Sequence, residues 1–343
     1  MSREGMAFLG SIVVDRVIQV DSWPSAGKLG LIRGKEILGT GGSAWNYPVN
    51  IAAIDPSIPL EVCGVVGTDP LGDFAISHLK ERSIKIDAIR RTGEASTSYS
   101  IVANSTASGL RTHLHDTGAG DFFDISDVES LQTEARFAHL GYLLLLKKLE
   151  AEDPEYGVKA ARALDILRKK GCKTITDIVS LDGPLERFKN TITPCFEYLD
   201  YLIINEFEAG SLTGIDIRDE YEERIDRDAL RGAAAKLLEL GVGELVVIHF
   251  PEGALARTRA GDECSVGSFI VEPSKIRCVV GAGDAFASGV IYGLYKEHPL
   301  NHCLALGNAN ARWNIVGESC TDGVVALARL EETIANEPRR DSI

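Results

Sequence analysis

A glycine-rich turn late in the chain places a carboxylate on the first turn of an apolar helix. Gly281, Ala282 and Gly283 precede Asp284. Glycines let a backbone approach a ligand closely, and the unpaired N–H groups of a helix start, with the positive end of its dipole, favour a phosphate. Asp284 would repel a resting phosphate, so its task is to take a proton from an attacking hydroxyl while the N–H groups of the turn hold the developing charge. The turn predicts phosphoryl transfer; the alternative is a plain helix start with an aspartate cap.

The same four-residue pattern occurs earlier, at residues 118–121. After Asp284, apolar residues recur at helical spacing, beginning with Phe286 and Val290. Asp121 is instead followed by Phe-Phe-Asp-Ile-Ser-Asp, which has no sustained helical period. We therefore assign the base to the later copy and expect the earlier one to border the substrate pocket.

An Asn-x-x-Glu element follows an apolar, strand-like run at residues 201–204. Turns at the carboxyl ends of strands are where open α/β sheets bind ligands. Asn205 and Glu208 are three residues apart, so both can face one side of a helical first turn and hold the water shell of a phosphate-bound Mg²⁺ ion. Alone, the element also fits an ordinary helix start.

A hydroxyl-binding constellation lies near the beginning of the chain. Asp15 follows the strand-like residues 8–14, and Gly41, Gly42 and Asn46 come about one element later. A carboxylate can bridge two neighbouring hydroxyls, paired glycines admit a ligand to the backbone, and an amide both donates and accepts. These residues predict a sugar site. Otherwise Asp15 is a turn residue that ends the first strand.

These elements, with the Cys-Gly-Val-Val-Gly-Thr-Asp run that leads to Gly72, resemble the ribokinase-like carbohydrate kinases of the phosphofructokinase B superfamily over about residues 6–330. The resemblance implies an α/β domain, ATP as phosphoryl donor, Mg²⁺, Asp284 as base, and a small β-stranded lid over the sugar. It also implies that Asp15, Gly42 and Asn46 contact the sugar hydroxyls.

The resemblance extends to the nucleotide side and to assembly. It implies that Gly253 and Asn310 belong to the nucleotide-binding side and that two copies of the chain can pair through the β lid.

Two segments depart from the family pattern. Members usually carry Asp-Thr-Thr or similar before the Gly-Ala-Gly-Asp turn, where the aspartate helps hold a monovalent cation. Here residues 278–280 are Cys-Val-Val, so K⁺ activation is not predicted. A glycine-rich turn usually follows a strand of the nucleotide site, but residues 249–253 read His-Phe-Pro-Glu-Gly. Pro251 has no N–H to offer a phosphate, so unusual nucleotide affinity or choice is expected.

Other motifs open alternatives. Gly39, Gly41 and Ala44 fit the G-x-G-x-x-A dinucleotide fingerprint, but a strand-rich segment at residues 12–38 already precedes them. No G-x-x-x-x-G-K-[ST] sequence occurs, which excludes the conventional P-loop. His113 and His115 alternate on a strand and so share one face, where solvent, substrate or a metal remain open as partners.

Composition limits the remaining possibilities. The chain has 343 residues, 45% hydrophobic and 25% charged, enough for a large core. A net charge of −14 without clustered cations argues against nucleic acid as partner. Seven cysteines without C-x-x-C suggest reduced thiols and a cytoplasmic protein, and the longest apolar run, near residues 141–146, is too short to cross a membrane.

Buried-strand runs alternate with helical patterns along the chain, which predicts an α/β fold: a mostly parallel central sheet with helices on both faces. Two polar excursions, about residues 15–40 and 91–122, interrupt the alternation and would form the lid. Residues 1–335 are predicted to form one kinase domain with these lid segments inserted, and residues 336–343 a polar tail that frays.

The function expected from all of this is ATP-dependent phosphorylation of a hydroxyl of a small sugar or polyol. A nucleoside kinase of the same fold and a non-catalytic sugar-binding or regulatory protein remain as alternatives. A phosphorylated sugar is less expected because no cluster of Lys or Arg lies beside residues 41–46.

Overall fold

Strands and helices alternate along the computed structural model, which describes residues 3–105, 111–179, 185–218 and 224–342. The strands are β1 (Met6–Gly10), β2 (Val13–Val20), β3 (Ile32–Gly41), β4 (Leu60–Gly67), β5 (Lys85–Thr92), β6 (Tyr99–Ser105), β7 (Arg111–Asp116), β8 (Phe137–Gly141), β9 (Glu152–Asp153), β10 (Gly157–Val158), β11 (Lys173–Thr176), β12 (Tyr201–Asn205), β13 (Leu245–Phe250), β14 (Gly253–Thr258) and β15 (Glu263–Gly267). The helices are α1 (Ser43–Ile54), α2 (Pro70–Lys80), α3 (Ile125–Ser130), α4 (Lys159–Lys169), α5 (Leu185–Ile192), α6 (Glu206–Thr213), α7 (Arg227–Glu239), α8 (Ala282–Tyr295), α9 (Leu300–Asn314) and α10 (Leu327–Asn336).

The large sheet has nine strands in the order β15-β14-β13-β12-β11-β8-β1-β4-β5. Pairing is parallel from β13 through β5, and β14 and β15 add an antiparallel edge. The carboxyl ends of the parallel strands therefore meet along one edge, where α/β folds bind ligands. The predicted mostly parallel sheet is confirmed.

Helices cover both faces of this sheet. On β1, Met6 and Phe8 belong to a core shared with α1, α8 and α9, whereas Ala7 and Leu9 belong to a second core shared with α4 and α7. This follows from the two-residue period of a strand, which sends successive side chains to opposite faces. Since both faces are buried, the strand carries no polar alternation.

A separate four-stranded sheet, in the order β3-β2-β6-β7, forms the small β lid expected from the two excursions. One prediction here is wrong: residues 8–14 are not a single strand. β1 ends at Gly10, which has a φ of 118°, and β2 begins at Val13 in the other sheet. A side chain at Gly10 would come within 2.1 Å of the Gly141 carbonyl oxygen, so the turn between the sheets requires glycine. Asp15 consequently lies inside β2 and does not end the first strand.

The polar tail does not fray over its described residues. The Ile270 N–H donates to the Pro338 carbonyl at 3.0 Å, and the Arg340 N–H donates to the Ser268 carbonyl at 2.9 Å. Arg339 forms an antiparallel bridge with Phe269 and lays its guanidinium over that ring. Residues 338–340 therefore pack along residues 268–270, the stretch of chain that follows β15. No helix in the described part of the chain is both long and apolar enough to cross a membrane.

Candidate active site

The Gly-Ala-Gly-Asp turn forms the start of α8, as its sequence predicts. Gly281 has a left-handed φ of 76°, and a side chain there would come within 2.9 Å of the Cys320 backbone. The backbone N–H groups of Gly283 and Asp284 donate to no acceptor among the described residues. Unpaired amides at the positive end of a 14-residue helix make this turn a suitable anion site.

The earlier copy of the motif differs in its hydrogen bonding. It forms a short 3₁₀ helix, Gly118–Phe122. Gly118 N–H donates to the Asp116 carboxylate, Ala119 N–H to the Ser96 carbonyl, and Gly120 N–H to the Ser98 hydroxyl. These amides are therefore used within the lid base, which favours the later copy as the anion site.

The Asp284 carboxylate is held by one oxygen. Its Oδ2 accepts hydrogen bonds from Asn46 Nδ2 at 2.7 Å and from the Tyr142 hydroxyl at 2.6 Å, and no described residue donates to Oδ1. Burial, followed by the nearby Asp177 charge, raises the pKa of Asp284 above its ordinary value, and the hydrogen bonds from Tyr142 and Asn46 act in the opposite direction. A carboxylate with one fixed and one open oxygen and a raised pKa is suited to act as a general base.

The predicted sugar-binding residues converge on this carboxylate from the lid and α1. Asp15 is 6% exposed, and burial raises its pKa to about 6. Its Oδ2 accepts a hydrogen bond from the Cys320 thiol at 3.2 Å. A side chain at Gly41 would come within 2.6 Å of Asp15 Oδ1, and Gly42, with a φ of 78°, would collide with the Ser11 carbonyl. Gly41 therefore keeps the backbone close to Asp15, and Gly42 keeps it close to Ser11.

Asn46 has partners that its sequence position did not indicate. Its Nδ2 donates to Asp284, and its Oδ1 accepts a hydrogen bond from the Thr40 hydroxyl at 2.6 Å. The Asn46 amide therefore orients the Asp284 carboxylate, which leaves the amide less capacity to bind sugar hydroxyls.

Strand register adds lid residues to the same side of the site. Gly39, Asp15, Ser100 and His115 pair with one another in a row across the lid, so they share a face. Ser100 Oγ and His115 Nδ1 are 3.0 Å apart. No group of three or more metal-ligating side chains occurs within the described ranges.

Sequence reasoning missed the buried polar groups that lie near Asp284. The Tyr47 hydroxyl donates to Asp177 Oδ2 at 2.7 Å, and the His139 ring stacks on Tyr47 with centroids 4.3 Å apart. Burial raises the pKa of Tyr142 well above its ordinary value, so this side chain stays a proton donor. Asp177 and Tyr142 directly follow β11 and β8, and this position at the carboxyl ends of strands is the signal that had singled out Asn205.

On the other side of Asp284 lies a cavity of about 540 Å³. It is lined by Asn205, His249, Gly253 and Gly283, together with apolar side chains such as Phe269. A cavity of this volume suits a drug-sized ligand. Such a ligand could place a flat apolar group against the Phe269 ring and an anionic group at Gly283. Asn308 and Arg340 also contribute to the wall.

Asn310 does not contribute to that wall. It is fully buried, and its Nδ2 donates to Asn50 Oδ1 at 3.0 Å and to the Ala285 carbonyl at 2.8 Å. The helical turn that was expected to face the nucleotide presents Asn308 to the cavity instead, because residues two apart on a helix point in different directions.

Asn205 and Glu208 form a reciprocal capping box at the start of α6. Asn205 Oδ1 accepts from the Glu208 N–H at 2.8 Å, and Glu208 Oε2 accepts from the Asn205 N–H at 3.0 Å. Glu208 is 5% exposed and, unlike Asn205, is not on the cavity wall. The element therefore has at least a structural role.

The altered segment at residues 249–253 is a tight hairpin. Phe250 still belongs to β13 and pairs with Gly253, the first residue of β14, so Pro251 and Glu252 form the turn. A side chain at Gly253 would come within 2.5 Å of the Val266 carbonyl, which requires glycine for packing of β15. The dinucleotide alternative is wrong, because Gly39 and Gly41 end a lid strand and do not follow the first strand of a βαβ unit.

These features define an α/β protein with a small β lid, a buried carboxylate at a helix start and a cavity beside that helix start. Residues 4–326 match the sequence family described as pfkB family carbohydrate kinase. The chain belongs to this family, which confirms the predicted fold and the prediction of a carbohydrate kinase.

The chain is also similar to individual kinases, at low sequence identity. The chain is 24% identical over 307 residues to a 5-dehydro-2-deoxygluconokinase of Clostridium perfringens, covering 87% of this chain and 84% of that protein. It is 24% identical over 331 residues to a ribokinase of Haemophilus influenzae, covering 94% and 95%.

Solved structures show the same fold. The structure of Arabidopsis thaliana ribokinase complexed with ribose and ATP has a TM-score of 0.76 at 17% identity, and the match covers 98% of this chain and 100% of that one. A Methanocaldococcus jannaschii nucleoside kinase has a TM-score of 0.73 at 16% identity, covering 98% and 99%.

Proposed function

We propose that this kinase transfers the terminal phosphoryl group of ATP to a hydroxyl of a small sugar or related polyol. The observation that carries the proposal is the Asp284 carboxylate. Asn46 and Tyr142 hold its Oδ2, and its Oδ1 is open beside the unpaired amides of the α8 start. A base and an anion site in one turn match the two requirements of phosphoryl transfer to an alcohol.

In this mechanism the substrate hydroxyl gives its proton to Asp284 Oδ1 as its oxygen forms the new bond to phosphorus. The bond between that phosphorus and the leaving diphosphate oxygen breaks, so ADP departs and a phosphate ester is formed. Of the three residues predicted to form the anion hole, Gly281, Ala282 and Gly283, the Ala282 N–H already donates to the Val279 carbonyl at 3.3 Å. The unpaired N–H groups of Gly283 and Asp284 would therefore stabilise charge on the transferred group. Asp15 and the backbone at Gly41 and Gly42 hold the other hydroxyls of the sugar.

The cavity beside Gly283 supports ATP as donor. Its apolar wall suits a purine, and its amide-rich end suits phosphates. MgATP would supply the reactive phosphorus, with Mg²⁺ offsetting charge on the phosphates. Asn205 and Gly253 would border the nucleotide, Glu208 would act on the metal through water, and Asn310 would support α8 from behind.

Residues 278–280 do not fit a monovalent cation site of the family type. Hard cations prefer oxygen ligands, and the side chains here are one thiol and two isopropyl groups. We therefore propose that the reaction does not depend on K⁺.

The charge of the site favours a neutral acceptor. Asp15 and Asp177 both act on Asp284 through their charges, so the site is strongly acidic. An anionic acceptor would be repelled by these carboxylates, whereas hydroxyls can donate to them. A nucleoside, which is also neutral, is the nearest alternative.

The proposal is tested by ADP formation from ATP and Mg²⁺ with a panel of neutral sugars, polyols, sugar acids and nucleosides. A rise in ADP and an equal amount of phosphorylated product with at least one neutral sugar or polyol is the expected result. Turnover confined to nucleosides would select the alternative acceptor. Binding of a sugar without ADP formation at any nucleotide concentration would instead identify a non-catalytic sugar-binding protein.

The outer face of the lid supports the proposed homodimer. Leu38, Arg16, Ile101 and Leu114 pair in a row next to that of Asp15, so they point away from the sugar site. Leu38 and Leu114 are 42% and 51% exposed. A second copy that packs on this sheet would remove them from water.

Sedimentation analysis tests this assembly. The wild type is expected to sediment as a dimer, and the double variant Leu38→Lys/Leu114→Lys as a folded monomer. A wild type that stays monomeric at high micromolar concentration would contradict the pairing.

A further inference from the structure

His249 stands at the junction between the altered hairpin and the anion site. It is the penultimate residue of β13 and pairs with Asn205 of β12 in parallel register. The Cε1 and Nε2 atoms of its ring lie 3.3 and 3.6 Å from the position that a Cβ on Gly283 would occupy. The Nε2 edge of the imidazole is therefore beside the amides that begin α8.

Within the described ranges, the ring nitrogens of His249 have no hydrogen-bond partner. No described residue hydrogen-bonds to either nitrogen, and the side chain is a partly buried part of the cavity wall. The His249 ring packs against Phe286, with ring centroids 5.0 Å apart. Polar groups removed from bulk water are almost always paired, so an unpaired imidazole in a ligand cavity indicates a ligand group that completes it.

The surrounding charges indicate which ligand group this is. The acidic side chains on or near this wall are already paired: Glu206 and Glu252 both bind Arg218, at 2.8 and 3.0 Å. Burial lowers the pKa of His249 to about 4, so in the free protein the ring is neutral and carries one N–H. A neutral donor beside unpaired helix-start amides is suited to an anionic oxygen.

The hairpin gives a reason for a side-chain donor at this position. Pro251 has no N–H, so the turn after β13 offers fewer backbone donors than a glycine-rich turn would. The His249 imidazole, two residues before Pro251, can supply the missing hydrogen bond.

We propose that His249 binds the polyphosphate of the nucleotide, donating from Nε2 to a phosphate oxygen next to Gly283. This inference rests on the proposed function, since it requires a nucleotide in the cavity. It assigns the altered hairpin a direct part in nucleotide binding and makes His249 a determinant of affinity for the phosphates.

Calorimetric titration of the full chain with a non-hydrolysable ATP analogue, ADP and adenosine tests the assignment without relying on turnover. His249→Phe keeps the ring shape but removes the donor, and we expect it to weaken the analogue and ADP by about fivefold to fiftyfold while leaving adenosine unchanged. His249→Gln keeps an N–H near the Nε2 position and is expected to retain most of the affinity. His298→Phe, three residues beyond the C-terminal end of α8, is the matched control and should bind like the wild type.

Each other outcome has a distinct meaning. If the wild type binds none of the three probes, the proposed ATP-dependent function fails. If the wild type binds the analogue and His249→Phe binds it equally well, the function stands and this inference fails. An equal loss of affinity for adenosine would place the His249 ring against the adenine and not against the phosphates, and this result would also overturn the inference. If circular dichroism shows that His249→Phe does not fold, His249→Gln and His249→Asn are compared instead. Affinity for the ATP analogue that is retained in His249→Gln and lost in His249→Asn supports Nε2 as the donor. Unchanged affinity in both variants contradicts the assignment.

Discussion

The Tyr142 hydroxyl donates a 2.6 Å hydrogen bond to Oδ2 of Asp284, on the carboxylate oxygen that also accepts from Asn46. Tyr142 comes from the segment after β8 and Asn46 from the first turn of α1, so two separate parts of the chain hold the carboxylate that α8 carries. Because both donors bind Oδ2, the carboxylate is held in place while Oδ1 accepts no hydrogen bond from the described residues.

If Asp284 is the base, Asp284→Asn should lower kcat by about 10²–10⁴-fold with little change in substrate affinity, because proton removal belongs to the transition state. Asp121→Asn, in the earlier copy of the motif, is the matched control and should leave kcat nearly unchanged. Steady-state kinetics of both variants decides between the copies. An active Asp284→Asn enzyme, or a collapse of kcat confined to Asp121→Asn, would reverse the assignment.

The same substitution should increase stability. A carboxyl whose pKa is raised in the folded state destabilises that state as pH rises from its unfolded pKa through its folded pKa. Asp284→Asn removes this charge, so its free energy of unfolding should exceed that of the wild type by about 1–3 kcal/mol at pH 8 and match it below pH 4. Urea denaturation at both pH values measures the difference. A less stable variant at pH 8 would mean that the kcat loss reflects damage to the fold.

Tyr142 and Asp177 should shift the pH profile in opposite directions. The Tyr142 hydrogen bond favours the ionised form of Asp284, so Tyr142→Phe should move the acid limb of kcat/KM to higher pH. The Asp177 charge favours the protonated form, so Asp177→Asn should move that limb to lower pH. Profiles of kcat/KM between pH 5 and 9 measure both shifts. Shifts of the same sign would show that Asp284 is not the group that titrates.

Much of this site follows from local patterns, and the rest depends on contacts that no local pattern encodes. Apolar runs indicated the strands because both faces of the sheet are buried, and the helical period after Asp284 separated the two Gly-Ala-Gly-Asp copies. Tyr142 and Asp177 were not predicted, because only the parallel pairing of β8 and β11 brings the carboxyl ends of these two strands together. Asn310 and Asn308 differ by two residues, and which of them faces the cavity depends on how α9 packs on α8, a tertiary property.

Asp15 should determine sugar affinity and its pH dependence. Loss of a charged acceptor leaves sugar hydroxyls unpaired at a cost of about 1–3 kcal/mol, so Asp15→Ala should weaken sugar binding roughly tenfold to a hundredfold. Because burial raises the pKa of Asp15 to about 6, sugar affinity of the wild type should fall as pH drops through about 6. Calorimetry with the identified sugar and with an ATP analogue measures both. Normal sugar binding by Asp15→Ala, or loss of the nucleotide instead, would contradict the role.

Glu208 allows the capping and metal roles to be separated. Glutamine also serves at the third position of a capping box, so Glu208→Gln should keep the wild-type melting temperature while losing the charge. If Glu208 acts on Mg²⁺ through water, this variant should need a higher Mg²⁺ concentration for half-maximal rate, with sugar affinity unchanged. Glu208→Ala should lose the cap as well and melt earlier. Identical Mg²⁺ midpoints for Glu208→Gln and the wild type would reduce the element to a helix start.

The segment after α10 should contribute to nucleotide binding and not to sugar binding. Backbone hydrogen bonds at Pro338 and Arg340 fasten it to the chain after β15, a 2.7 Å ion pair joins Glu337 to Arg312, and Arg340 forms part of the cavity wall. A chain that ends at Asn336 removes this wall and a nearby positive charge, so its affinity for an ATP analogue should fall severalfold while sugar affinity is retained. Arg340→Ala separates the charge from the wall and should lose only part of that affinity, with a smaller effect at high salt because the arginine is exposed. Calorimetry with the ATP analogue and with the sugar measures how each variant changes the two affinities. Equal affinities of the shortened and full chains for the nucleotide would show that the segment only covers the sheet edge.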